Sequence, residues 1–193
     1  LLGRLSRLTY PDGEQAQYAY NGQGGLETLS LQAGATAQPI ITSAAYTAAG
    51  QLAQLTYGNG VTTTHTYDSL TLRLSTLRTT GPSGTLQDFA YTVDPVGNVT
   101  AIQDLVRSSS SQAFTYDGLS RLTRAVGSYG DARYSYDPLG NLISKEGVTQ
   151  TYGEGPPGPH ALTSTSSGLT LTYDANGNVT ETRPRSCPAT GPC

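Results

Sequence analysis

One short pattern recurs along this chain and fixes the kind of fold open to it. A tyrosine at position i is followed by turn residues, a glycine at i+4 and an aliphatic residue at i+6. YNGQGGL carries Tyr20, Gly24 and Leu26, and YTAAGQL carries Tyr46, Gly50 and Leu52. YDPLGNL carries Tyr136, Gly140 and Leu142, and YDANGNV carries Tyr173, Gly177 and Val179. VDPVGNV keeps the frame with Val93 in the tyrosine slot, then Gly97 and Val99. YDGLSRL keeps Tyr116 and Leu122 but has Ser120 in place of glycine. YDSLTLRL has Tyr67 and a one-residue insertion before Leu74, and the opening LLGRL supplies Gly3 and Leu5 of a truncated unit.

Successive i positions lie 26, 21, 26, 23, 20 and 37 residues apart. A repeat of 20–26 residues is too short for a strand plus a long helix and holds two strands and two turns, one hairpin per unit. The long interval contains Gly153-Glu154-Gly155-Pro156-Pro157-Gly158-Pro159, read as a loop insertion near 147–168 or a degenerate unit. Gly158 is expected to be an unconstrained loop glycine. The fold class is therefore all-β: tandem antiparallel hairpins over residues 1–183, about eight units, forming a long coiled ribbon or part of a hollow shell. Residues 184–193 form a tail rich in proline and cysteine.

Turn chemistry predicts the register. In Asp137-Pro138-Leu139-Gly140, the Asp side chain accepts hydrogen bonds from the backbone ahead, Pro presets φ and Gly accepts φ > 0. A type I turn closed by a left-handed residue is a three-residue hairpin loop with a bulge. Asp137 then faces Asn141, and Tyr136 faces Leu142. The same geometry predicts Tyr20–Leu26, Tyr46–Leu52, Val93–Val99, Tyr116–Leu122 and Tyr173–Val179. Period-two alternation carries the tyrosine face back to i−2 (Tyr18, Ala44, His65, Tyr91, Phe114, Tyr134, Leu171), with small or hydroxyl residues at i−1 on the other face. The expectation is that the aromatic face is buried.

Composition agrees. There are 13 Tyr against 2 Phe, with no Trp, and 28 Thr supply strand propensity. The net charge is −3 with no basic cluster, which argues against a nucleic-acid partner. No run is apolar enough for a membrane-spanning helix. From Thr28 to Tyr67 there is no charged side chain of the Asp, Glu, Lys or Arg type. The absence of Met reads as a segment of a longer parent polypeptide.

YDGLSRLTR, YDPLGNLIS and YDANGNVTE resemble the YD repeats of Rhs proteins, insecticidal toxin-complex proteins and teneurins. The stretch from Tyr67 to Asp104, with its LQD and DPVGN strings, resembles the repeats of bacterial Rhs and toxin-complex shells. The resemblance runs to about Arg183. It implies a β-sheet coiled into a shell able to enclose a toxic polypeptide, on a secreted or cell-surface bacterial protein.

Sites of chemistry are few. His65 reads as a substituted aromatic in an inward slot, and His160 follows a Pro-Gly loop with no nucleophile placed by sequence. Ser108 to Ser111 read as a loop tip lacking a G-x-S-x-G elbow. The sequons at Asn98 and Asn178 are the GNV core of the repeat. No catalytic, cofactor or metal residues are assigned. Cys187 and Cys193 are spaced for a small disulfide loop and poorly for a metal. The reading is a non-enzymatic scaffold partnered by the rest of its parent, an enclosed toxin or further copies of itself. A self-assembling filament and a carbohydrate-binding tyrosine ladder are the alternatives.

Overall fold

The computed structural model describes residues 3–153 and 158–184. Among them, the regular elements are strands apart from one 3-10 turn at Ser108–Ser110, and no helix is long and apolar enough to cross a membrane. The chain divides between Ser111 and Gln112 into two units. The first holds β1 (Arg7–Thr9), β2 (Gln15–Tyr20), β3 (Leu26–Ala33), β4 (Thr36–Tyr46), β5 (Leu52–Tyr57), β6 (Thr62–Tyr67), β7 (Leu74–Gly81), β8 (Gly84–Val93) and β9 (Val99–Asp104). The second holds β10 (Gln112–Tyr116), β11 (Leu122–Gly127), β12 (Gly130–Tyr136), β13 (Leu142–Lys145), β14 (Val148–Tyr152), β15 (Leu162–Thr165), β16 (Thr170–Tyr173) and β17 (Val179–Arg183). Within each unit, consecutive strands pair antiparallel as a meander.

The register follows the turn chemistry. Tyr20 lies opposite Leu26, Tyr46 opposite Leu52 and Val93 opposite Val99. Tyr116, Tyr136 and Tyr173 lie opposite Leu122, Leu142 and Val179. A bulge sits beside each of these pairs, so the extra left-handed residue is absorbed without slipping the strands. Tyr67 faces Leu74 across its longer turn. In the long interval Tyr152 faces Leu162. That segment is a repeat whose turn has lengthened, which joins the two readings of it.

Six junctions between hairpins share a second register, from which the β3–β4 junction, with Leu29 opposite Ile41, departs. The residue two past the aliphatic position faces the residue three before the next tyrosine slot. This gives Arg7 with Gln17, Gln54 with Thr64, Thr76 with Ala90, Arg124 with Arg133, Ser144 with Thr149 and Ser164 with Thr170.

The two faces differ as alternation predicts, but burial is shallower. Ala19, Ala45, Thr66, Thr92, Thr115, Ser135 and Thr172 are exposed, while the tyrosines flanking them are half-buried. The buried apolar residues are small: Ala16, Ala44, Ala125 and Ala132. The expected buried aromatic face is therefore a half-covered one. Strand-to-strand bonding, rather than a deep apolar core, carries the cohesion.

Candidate functional site

The repeat turns lie along one edge of each unit's meander, and their polar atoms form one repeated circuit. The i+1 N–H donates to the i+5 carbonyl: Asn21 to Gly25 at 2.9 Å, Thr47 to Gln51 at 2.8 Å, Asp94 to Asn98 at 2.9 Å and Asp137 to Asn141 at 3.0 Å. The i+4 N–H returns to the i+1 carbonyl, as in Gly140 to Asp137 at 3.1 Å. Where the motif keeps its i+4 glycine, that residue is left-handed: φ is 88° at Gly24, 80° at Gly50, 113° at Gly97, 93° at Gly140 and 83° at Gly177. Ser120 takes this conformation at φ 59° with no glycine to ease it. In the irregular turn the left-handed residue is Leu72 at φ 57°, one place later than the Thr71 slot of the motif. Gly158 is also left-handed, at φ 92°. It is a constrained turn glycine of the Tyr152 unit and not the free loop residue expected.

The i+1 side chain closes the circuit. Asp94 Oδ1 accepts from the Gly97 and Asn98 amides at 2.8 Å each, and its Oδ2 from Asn98 Nδ2 at 2.9 Å. Asp137 repeats this with Asn141, at 2.8 Å for both bonds, and Asp174 with Asn178, at 2.9 Å. Asp117 accepts from the Arg121 amide at 3.0 Å and pairs with its guanidinium at 2.7 Å. Such bonding favours the ionised form. The Thr71 amide holds the Asp68 carboxyl below its ordinary value, the Arg121 amide does so for Asp117, and the Asn178 side chain for Asp174. For Asp94 and Asp137, desolvation pushes upward most strongly of any single influence, yet the asparagine and amide donors together outweigh it.

The tyrosines tie one hairpin to the next. Tyr46 Oη donates to the Leu26 carbonyl, Tyr67 Oη to Leu52 and Tyr20 Oη to Leu5, each at 2.9 Å. Tyr136 Oη reaches Leu122 at 3.0 Å and Tyr173 Oη reaches Leu162 at 2.7 Å. In every case the acceptor is the aliphatic residue of the preceding unit. Tyr152 departs from this, donating to Gln150 Oε1 at 2.8 Å, and burial raises the pKa of its phenol.

A second tie, at i+5, was missed by the sequence reading. Gln51 Nε2 donates to the Leu72 carbonyl of the next turn at 2.8 Å. Arg73, which the one-residue insertion moves to i+6, donates to the Asp94 and Pro95 carbonyls at 2.8 and 3.2 Å. Arg121 reaches the Asp137 carbonyl at 3.3 Å and lies over the Tyr136 ring at 4.6 Å. Arg4 stacks on Tyr20 at 5.5 Å. Asn141 donates to Pro159 at 2.9 Å and meets His160 Nδ1 at 2.7 Å, which places His160 in the turn lattice. Where i+5 is Gly25, the Tyr46 ring occupies the space, and a Cβ there would sit 2.7 Å from its Cε2. The signal was a column of Arg, Asn and Gln at i+5, legible once the units are stacked.

Other residues stay apart. His65 is half-buried opposite Leu77, and its buried Nδ1 has no hydrogen-bond partner. Ser111 Oγ accepts from the Asp104 amide at 3.1 Å. Among the described residues no group of three or more His, Cys, Asp or Glu could hold a metal. Cys187 and Cys193 lie outside the described residues.

No model of a known protein family matches the chain. The chain is 38% identical over 143 residues to the toxin subunit YenC1 of Yersinia entomophaga, covering 70% of this chain and 13% of that protein. It is 34% identical over 200 residues to the toxin subunit YenC2 of the same organism, covering 92% of this chain and 19% of that protein. It thus spans under a fifth of the curated relatives it matches. Among solved structures, TcdB2-TccC3-TEV matches 98% of this chain and 12% of that chain, with TM-score 0.74 and 25% identity. The pore state of the Photorhabdus luminescens Tc holotoxin shares the fold at TM-score 0.75 and 24% identity, over 97% of this chain and 12% of that one. With one Tyr–aliphatic register and one set of turn-to-turn ties running through it, this chain is a member of the Rhs/YD-repeat family.

Proposed function

We propose that this chain is a non-enzymatic wall section of a bacterial toxin-complex protein, secreted or displayed at the surface, whose sheet helps to enclose a toxin polypeptide. The observation that carries the reading is where the polar side chains are spent. The repeat carboxylates bond the amides of their own turns, five repeat tyrosine hydroxyls bond the preceding unit, and the i+5 side chains bridge successive turns. Side chains so committed make a rigid surface, and the likeness to YenC1 and YenC2 supports its place in a toxin complex.

The same commitment favours a wall over a sugar-binding ladder, because five hydroxyls that would face a glycan already serve as donors to backbone carbonyls. The test uses the complete parent protein. Its C-terminal polypeptide should resist protease while the wall is intact and be digested once the wall is unfolded. Digestion at the rate of the free polypeptide would remove enclosure from the account.

A further inference from the structure

Two junctions hold a phenol with the same pair of groups, an arginine and the carbonyl of the aliphatic residue that follows it. Arg121 directly precedes Leu122, reaches the Asp137 carbonyl at 3.3 Å and lies over the Tyr136 ring at 4.6 Å, while Tyr136 Oη donates to the Leu122 carbonyl at 3.0 Å. Arg4 directly precedes Leu5 and lies over the Tyr20 ring at 5.5 Å, and Tyr20 Oη donates to the Leu5 carbonyl at 2.9 Å. Arg73 likewise directly precedes Leu74, and it bonds the Asp94 carbonyl at 2.8 Å as Arg121 bonds Asp137. The residue before Asp94 is Val93, which brings neither ring nor hydroxyl to these groups. Where the ring would lie is the open groove of about 540 Å³, lined by Arg73, Leu74, Tyr91, Val93, Asp94 and Pro95 among others. The β7–β8 ladder begins at Thr76 and Ala90, which leaves Leu74 and Val93 unpaired across this junction.

We propose that this groove is a binding site for the side chain of a tyrosine carried by another polypeptide. The phenol ring rests on the Arg73 guanidinium, where the negative face of an aromatic ring meets a cation, and its hydroxyl donates to the Leu74 carbonyl. Arg73 is fixed in advance by its bonds to Asp94 and Pro95, so little order is lost when the ring arrives. Charge selects against other side chains: Asp68 and Asp94 line the groove against an acid and Arg73 against a base, which leaves a neutral ring with a donor at its tip. Pockets of about 300–1,000 Å³ hold ligands larger than one ring. The groove therefore also takes the peptide groups flanking a tyrosine, which favours a polypeptide over a free phenol. A polypeptide held against the wall is the natural supplier of that tyrosine, a point that rests on the wall-section reading.

The probe is N-acetyl-tyrosinamide added to the whole chain. It should shift the NMR signals of the Arg73 Nε–H and the Val93 methyls saturably, in the millimolar range. N-acetyl-phenylalaninamide should bind about five-fold more weakly, the worth of one net hydrogen bond. The bare side chain p-cresol, which lacks the peptide groups, should also bind more weakly. Val93→Tyr fills the groove from within and should abolish the shifts, while the Gly97 turn amide, bonded to Asp94, keeps its exchange protection as proof of folding. No saturable shift, equal binding by the phenylalanine compound, or undiminished binding to Val93→Tyr would overturn the site. Equal binding by p-cresol would overturn a polypeptide as its occupant. A parent that shields its C-terminal polypeptide while the groove ignores N-acetyl-tyrosinamide would remove this inference and leave the wall reading standing.

Discussion

Two junctions in the first unit solve the same problem differently. At the Tyr46 junction, a phenol spans the gap to the Leu26 carbonyl and its ring rests on Gly25. At the Val93 junction the ring is missing, and Arg73 crosses in the opposite direction to the Asp94 and Pro95 carbonyls. An open groove of about 540 Å³, lined by Leu74, Tyr91 and Val93 among others, remains beside it. The contrast teaches that a repeat demands a donor at each junction and tolerates its origin. A tyrosine supplies donor and packing together, while an arginine supplies the donor and leaves the volume unfilled.

The largest effect should come from the turn that both kinds of junction share. Gly140→Val places a β-branched residue at φ 93° and should lower stability by about 2 kcal/mol in urea unfolding. Gly118→Val, where φ is ordinary and a Cβ meets open space, should change it far less. Equal losses would mean that the left-handed position does not define the turn. Next comes Arg73→Ala, which should cost about 1.5 kcal/mol because two carbonyls lose a charged donor. A loss near zero there would show that the Val93 junction holds without any bridge.

Val93→Tyr should then stabilise by about 0.5–1 kcal/mol, its ring entering the groove and its hydroxyl meeting Leu74. Made together with Arg73→Ala, it should restore most of what that change removes, and strictly additive effects would argue that the two ties are not alternatives. Acid gives the gentlest contrast. The lowered carboxyls of Asp68, Asp94, Asp117, Asp137 and Asp174 stabilise the fold fully above the unfolded carboxylate value of about 4. That contribution is lost as pH falls through the lowered folded values. The Asn21 turn makes the same bonds with an uncharged amide, so its exchange protection should outlast theirs in acid.

The hairpins, their pairs and the uneven faces were legible because turn geometry is local: Asp137, Gly140 and the tyrosine that precedes them fix Tyr136 against Leu142. What escaped was non-local. The partner of each tyrosine hydroxyl lies 11–20 residues back, on a strand whose distance depends on the turn at the other end. The i+5 column was visible but has no meaning until turns are stacked. Tyr152 was lost because its partner Leu162 sits ten residues on, beyond the i+6 frame. The burial of the tyrosine face was overestimated because alternation reports which side a residue takes, and says nothing of what covers that side.

The central claim is that tyrosine hydroxyls hold hairpin to hairpin, and Tyr136→Phe tests it with the ring retained. Hydrogen exchange of that variant should quicken along the β11–β12 ladder, with the strands more mobile by the equivalent of about 1 kcal/mol. The Asp137 and Gly140 turn amides, bonded within their own loop, should keep their protection. Unchanged exchange between β11 and β12, or equal loosening of the turn, would contradict the account.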